Sequence, residues 1–328
     1  MTTTTPQSTA LTDASIIPVN ASQPVLTYSP VVLEMPGRPV SLQLKVSMPE
    51  TGSDLPVILL SHGHGRANFL SSLHGYGPLA DFWAAHGFVV IQPTHLDSVT
   101  LGLREADHPE APLYWRTRAQ DMSFILDHLD AVEAAFPGLA GRLDRARVAV
   151  AGHSLGGSTA SMLLGMRVLD PDDDREEDLR DPRIKAGVIL AAPGVGDDGH
   201  LAAFTAEHYP MTKYIDFSTM SAPALVVAGD RDLNPNFSDR LSYRWDAYTR
   251  SPGPKSLLTV FGAEHILGGI SGYDASETTD ENPERVAAVR ALAWAYLRSQ
   301  LYPGDPAWAD AIAALGRSPE PMGRVESK

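Results

Sequence analysis

The stretch Gly152-His153-Ser154-Leu155-Gly156 is built for covalent chemistry. It follows the apolar run Val148–Ala151 and precedes a helical pattern. A serine on a sharp strand-to-helix turn is forced into a strained backbone conformation, and the residues two before and two after it approach closely, so both must be small. Gly152 and Gly156 meet that need. The turn presents the hydroxyl at the sheet edge where α/β folds bind ligands. It also aims the Leu155 amide, at the positive end of a helix, at an oxyanion.

A serine hydroxyl is a weak nucleophile until a base takes its proton, and histidine, titrating near neutrality, is the usual base. The chain has 11 histidines. His265 lies in Gly262–Gly269, just past the apolar run Leu257–Phe261, whereas His200 and His208 lie in a polar connection with no strand before them. An acid to orient the base is offered by Pro223–Pro235, which holds both Asp230 and Asp232. One amide makes a poor oxyanion hole, so a second donor is expected from a loop after an early strand. Ile58–Gly65 supplies it, running into His62-Gly63-His64-Gly65. His62 and His64, two residues apart with no carboxylate close in sequence, make a thin metal site. No metal and no cofactor is expected.

These residues need a scaffold that carries each of them on a loop at one edge. Val40–Met48 alternates apolar and polar residues, which predicts a half-exposed strand at a sheet edge. Pro56–Leu60, Phe88–Ile91, Val148–Ala151, Gly187–Ala191, Ala224–Ala228 and Leu257–Phe261 are short and apolar throughout, as strands buried on both faces are. Helical patterns cover Tyr76–His86, Leu113–Phe136, Ser154–Leu169 and Pro283–Leu301. Strand and helix in alternation predict an α/β fold, a doubly wound, mostly parallel sheet flanked by helices. Residues 1–24, rich in Thr, Ser and Pro, read as a loosely attached arm, with one α/β domain over 25–328. His95–Leu113 should sit over the carboxyl edge, and the acidic run Asp170–Asp181 reads as a solvated loop. Val195–Asp216 is too short for a large separate cap domain, and the polar Gly269–Asn282 is placed to cover the histidine loop. Arg116, Arg118 and Asp121 read as an ion pair at a helix start. Phe69, Leu96, Trp115, Leu233 and Ile266 stand near the site loops in sequence and are candidate pocket residues.

Bulk properties narrow the classes further. The chain of 328 residues is 43% hydrophobic, enough for a large core, and α/β folds of this length occur as one domain. A formal charge of −14 disfavours nucleic acid and anionic lipid as partners and does not choose among neutral small-molecule substrates. With no cysteine, a thiol nucleophile and disulfides are excluded. The N-terminus has no basic residue and no long apolar core, and no apolar run approaches membrane-spanning length, so a cytoplasmic protein without a membrane span is expected.

GHSLGG after AVA resembles the nucleophile turn of α/β-hydrolase-fold serine esterases, and Leu55–Leu301 follows that fold's order of elements. SHGHG early and AEHILGG late are similar to the branch holding chlorophyllase-like and platelet-activating-factor-acetylhydrolase-like esterases. The resemblance implies the order serine, acid, histidine, which leaves His265 as base. It implies Asp232 as acid, in the register strand, Gly, two residues, Asp, with Asp230 as a turn residue. It also implies the backbone amide of His64 as the second oxyanion donor beside Leu155. A carboxylic ester hydrolase working through an acyl-enzyme is therefore expected. The same triad would serve a lactone, thioester or amide, or an acyltransferase. A scaffold that binds without catalysis is the other alternative.

Overall fold

The structure of the chain is a computed structural model, and it describes residues 16–170, 173–196, 199–272 and 275–328. Twelve strands are present among the described residues: β1 Val25–Leu33, β2 Leu42–Pro49, β3 Leu55–Ser61, β4 Val89–Pro93, β5 Leu143–His153, β6 Arg167–Leu169, β7 Glu176–Asp178, β8 Ile184–Leu190, β9 Ile215–Asp216, β10 Ala224–Gly229, β11 Lys255–Val260 and β12 Gly323–Ser327. Nine of them form one sheet in the order β1-β2-β4-β3-β5-β8-β10-β11-β12. The six central strands, β4 to β11 in that order, pair in parallel, and antiparallel partners close both ends. A small sheet, β7-β6-β9, stands apart.

Among the described residues eight helices cover the large sheet and its loops: α1 Gly77–Ala85, α2 Trp115–Asp127, α3 Leu129–Ala135, α4 Leu155–Leu163, α5 Ala203–His208, α6 Asp246–Thr249, α7 Pro283–Leu301 and α8 Ala307–Arg317. Successive strand residues point to opposite faces, so each apolar strand feeds two cores. Val57, Leu59, Val148, Val150 and Val226 pack with α2, α3 and α4. Ile58, Leu60, Ala149, Ala151 and Val227 pack with α1, α7 and α8. Helices on both faces of a mostly parallel sheet make this a doubly wound α/β architecture.

From β3 the chain moves to β4 on one side, then returns to β5 on the other. Loops leaving β3 and β5 therefore diverge, and a crevice opens between them at the carboxyl edge. Ser61 pairs in register with Gly152, which sets the loop after β3 beside the turn after β5.

Several boundaries differ from the sequence reading. Val40–Met48 emerges as β2 but not at the edge, because β1 covers it. β1 escaped notice because most of it is exposed and it carries Pro30, which only an edge strand tolerates. The single helix expected over 113–136 breaks at His128, which leaves helical geometry (φ −120°) while its ring donates to the Phe124 carbonyl at 2.9 Å. The helix after Ser154 stops at Leu163, and Gly165 at φ +109° turns the chain into β6. Of the arm expected over 1–24, residues 1–15 lie outside the described residues. Ile17 is buried in the core, and the Gln23 amide donates to the Ala85 carbonyl at 2.8 Å. Part of the acidic run is a strand: β7 pairs with β6, and Asp170 and Glu177 both meet Arg116.

Candidate active site

Ser154 sits between β5 and α4 at φ 55°, ψ −122°, a strained region for a side chain. Its amide donates to the Leu190 carbonyl at 2.9 Å, which ties the turn to β8. The glycines are required by contact: a Cβ on Gly152 would stand 2.0 Å from the Gly156 carbonyl oxygen, and one on Gly156 would stand 2.2 Å from the Ser61 carbonyl oxygen.

The Ser154 hydroxyl lies 3.0 Å from His265 Nε2. His265 Nδ1 lies 2.9 Å from Asp232 Oδ2. A carboxylate only accepts, so Nδ1 carries the hydrogen and Nε2 is left free to accept from the serine. Asp232 is buried, and Arg244 Nε also reaches its Oδ2, at 3.1 Å. Burial alone would raise the Asp232 pKa, but His265 and Arg244 together hold it below the usual carboxylate value. Asp230 stands outside this line of contacts. Its Oδ1 accepts from the Gly262 amide at 2.6 Å and joins the loops after β10 and β11.

The Leu155 and His64 amides have no protein acceptor among the described residues. His64, Ser154, Leu155, Asp232 and His265 all line one cavity of about 700 Å³. Leu233 and Ile266 line it too, as do Phe204, Tyr209 and Phe237. Three pocket candidates fall elsewhere. Phe69 lies within the turn Ala67–Leu70, packs near Gly272 and faces a separate depression with His74 and Phe82. Trp115 opens α2 and is buried in the core beneath the Arg116 guanidinium. Leu96 is also core.

His62 and His64 turn their rings to different partners. His62 Nδ1 donates to the Gly63 carbonyl at 2.7 Å and Nε2 accepts from the His95 amide at 3.0 Å. His64 Nδ1 donates to Asp97 Oδ2 at 2.9 Å, so a carboxylate does stand beside it, distant in sequence. His153, the residue before Ser154, donates from Nε2 to the His265 carbonyl at 2.8 Å, since a carbonyl can only accept. Its Nδ1 then accepts from the Tyr76 hydroxyl at 2.9 Å, and that hydroxyl accepts from the Gly63 amide at 3.0 Å. One chain of hydrogen bonds thus runs from the loop after β3 to the backbone of His265.

Of the segment 269–282, residues 273 and 274 lie outside the described residues, and Glu277 and Asp280 brace both loops. Glu277 Oε1 accepts from the Arg66 and Ala67 amides at 2.7 and 2.8 Å. Asp280 Oδ2 accepts from the Glu264 and Gly268 amides at 2.8 and 3.0 Å.

Sequence reasoning missed Arg244, Asp97, Tyr76 and the two bracing carboxylates. Arg244 lies in a short 3₁₀ turn whose pattern carries no signal. Arg118 and Asp121 did carry one, being charges on the apolar stripe of Met122 and Ile125. They do not pair with each other as expected: Arg118 meets Asp97, Asp121 meets Arg38 and His95, and Arg116 meets Asp170, because α2 turns these side chains toward different loops.

Burial fixes a pH response. His62, His95 and His153 are buried, and burial pushes each well below its ordinary pKa, His153 to about 3. The unfolded chain therefore takes up these protons first. Stability from these groups is full above about pH 6.5 and falls as pH drops below it. Asp121 acts oppositely: burial raises it to about 6, so the folded chain holds one proton the unfolded chain lacks between about pH 4 and 6. Three groups against one leaves a net loss. The melting temperature should drop by roughly 5 °C or more between pH 7 and pH 5. A flat profile by circular dichroism would show that these imidazoles are not buried neutral.

Among the described residues no helix is long and apolar enough to cross a membrane. No family model matches this chain, and no curated protein sequence matches it.

Proposed function

We propose that this chain is a serine hydrolase of the α/β-hydrolase fold that cleaves a carboxylic ester. The observation that carries the proposal is the unbroken line from the Ser154 hydroxyl through His265 to Asp232, at 3.0 and 2.9 Å. Ser154 attacks the ester carbonyl while His265 Nε2 takes the hydroxyl proton. The negative charge on the former carbonyl oxygen is met by the Leu155 and His64 amides. His265 then passes its proton to the departing alkoxide, the alcohol leaves, and an acyl-Ser154 ester remains. Water attacks that ester, giving its proton to His265, and collapse returns the proton to Ser154 and releases the acid. Asp232 holds the imidazole in the working tautomer and stabilises its charged form.

A fluorophosphonate probe tests the proposal. Tryptic mass spectrometry should find one adduct per chain, on Ser154. An unlabelled Ser154 at saturating probe, or a label elsewhere, would overturn it.

The cavity wall bears on substrate size. Phe204 is 45% exposed and Leu233 is 49% exposed, both on the cavity. Such side chains gain from covering by an apolar substrate group, at about 25 cal/mol per Å². Phe204→Ala should raise KM for p-nitrophenyl octanoate by roughly threefold to tenfold and leave the acetate ester unchanged. Equal effects on both esters would remove Phe204 from the substrate's path.

A further inference from the structure

We propose that Arg118 is the positioning residue of the oxyanion hole, one buried guanidinium that sets the spacing between the His64 and Leu155 amides. The inference rests on the hydrolase reading above.

Arg118 projects from α2, is fully buried, and does not line the cavity. Its contacts divide between the two segments that supply the amides. On one edge, Nε donates to Thr159 Oγ1 at 3.1 Å. The Thr159 hydroxyl in turn donates to the Leu155 carbonyl at 3.2 Å, one turn earlier in α4. On the other edge, one terminal nitrogen donates to the His62 carbonyl and to Ser61 Oγ, the latter at 3.2 Å. The second terminal nitrogen donates to Asp97 Oδ1, and Asp97 Oδ2 accepts from His64 Nδ1 at 2.9 Å. A single planar group therefore holds the first turn of α4 and, through two routes, the loop 61–64.

No side chain can do this job from between the segments. They meet so closely that even a Cβ on Gly156 would stand 2.2 Å from the Ser61 carbonyl oxygen. Their spacing has to be set from behind, and Arg118 stands behind both. Arginine suits this because its five donors lie in one rigid plane, which a lysine ammonium cannot copy. Arg104 reinforces the loop from outside, donating to the Asp97 carbonyl at 2.6 Å and the Gly65 carbonyl at 2.7 Å. A buried ion pair adds little to net stability against an apolar replacement, so stability alone is a weak reason for Arg118 and Asp97 to be there. A fixed distance between two donors is a sufficient one, since a displacement of about 1 Å at a reacting centre costs on the order of 100-fold in rate.

The test compares turnover with affinity for phenylboronic acid, which forms a tetrahedral adduct on a serine hydroxyl and puts a boronate oxygen in the oxyanion hole. Arg118→Lys should lower kcat for p-nitrophenyl acetate by roughly 100-fold with KM within about threefold, and raise the boronate Ki by a similar factor. Ki does not depend on the fraction of active protein, so a role in folding alone would lower the melting temperature and leave Ki unchanged. Thr159→Val keeps side-chain shape and removes only the link to α4. It should shift kcat and Ki together by about threefold to tenfold, with melting lowered by roughly 2 to 6 °C because the buried Arg118 Nε loses its acceptor, and it decides the matter if Arg118→Lys does not fold. A Ki equal to that of the unmodified chain in Thr159→Val, or a Ki that stays put while kcat falls, overturns the proposal. An unmodified chain that neither turns over ester nor takes the fluorophosphonate label overturns the hydrolase reading, and this one with it.

Discussion

Ser154→Ala is expected to lower kcat for a p-nitrophenyl ester by about 10⁴- to 10⁶-fold while the fold stays intact. The hydroxyl makes one hydrogen bond, to His265 Nε2, so its loss leaves no buried partner stranded in the core. The strained backbone at φ 55° is held by the Ser154 amide on the Leu190 carbonyl, and neither depends on the side chain. Melting should therefore move by no more than about 2 °C, and the apolar cavity wall should still bind the ester, keeping KM near its original value. Release of p-nitrophenolate followed at 405 nm checks the rate. Residual turnover above about 1% would mean that another group attacks the carbonyl.

The second large effect is expected at Asp232. Asp232→Asn should lower kcat by about 10³- to 10⁴-fold. In the proposed mechanism the carboxylate serves two cations, the imidazolium formed during turnover and the Arg244 guanidinium, which is buried 3.1 Å away. Asparagine preserves shape and removes the charge. The guanidinium is then left without its counter-ion beside the position where a second positive charge must develop. From this follows a non-additive result: Asp232→Asn combined with Arg244→Met should be more active than Asp232→Asn alone, by roughly tenfold. A double variant no better than the single one would show that Arg244 shapes the loop without acting on the charge of His265.

Much of this site is legible in the sequence because its demands are local. A serine at a strand-to-helix turn needs glycines two residues away on each side, and those glycines can be read directly. The apolar runs of the central strands are equally plain, since strands buried on both faces leave no polar positions. The supports are not legible in the same way. Asp97 and Arg118 are 21 residues apart, and Glu277 reaches the Arg66 amide from 211 residues away. Their pairing is a product of how loops meet at the carboxyl edge, which no periodicity encodes. Phe69 and Trp115 mislead for the same reason: closeness in sequence to a site loop says nothing about the side the loop turns to after two or three residues. β1 and β12 were missed because edge strands need not be apolar, and VLTYSPVVL and GRVES carry no continuous buried run.

The aromatic side of the cavity wall, Phe204, Tyr209 and Phe237, comes from stretches that lie outside the hydrogen-bonded frame of the site. Phe204 and Leu233 present half-exposed side chains to the opening, and neither belongs to the chains of contacts that hold Ser154, His265 or the two amides. On the proposed function, selectivity and reactivity then fall on separate parts of the polypeptide and are free to drift independently over generations. In rounds of random mutagenesis and selection for a bulkier ester, winning variants should gather at positions 204 and 233, leaving 97, 118 and 159 untouched.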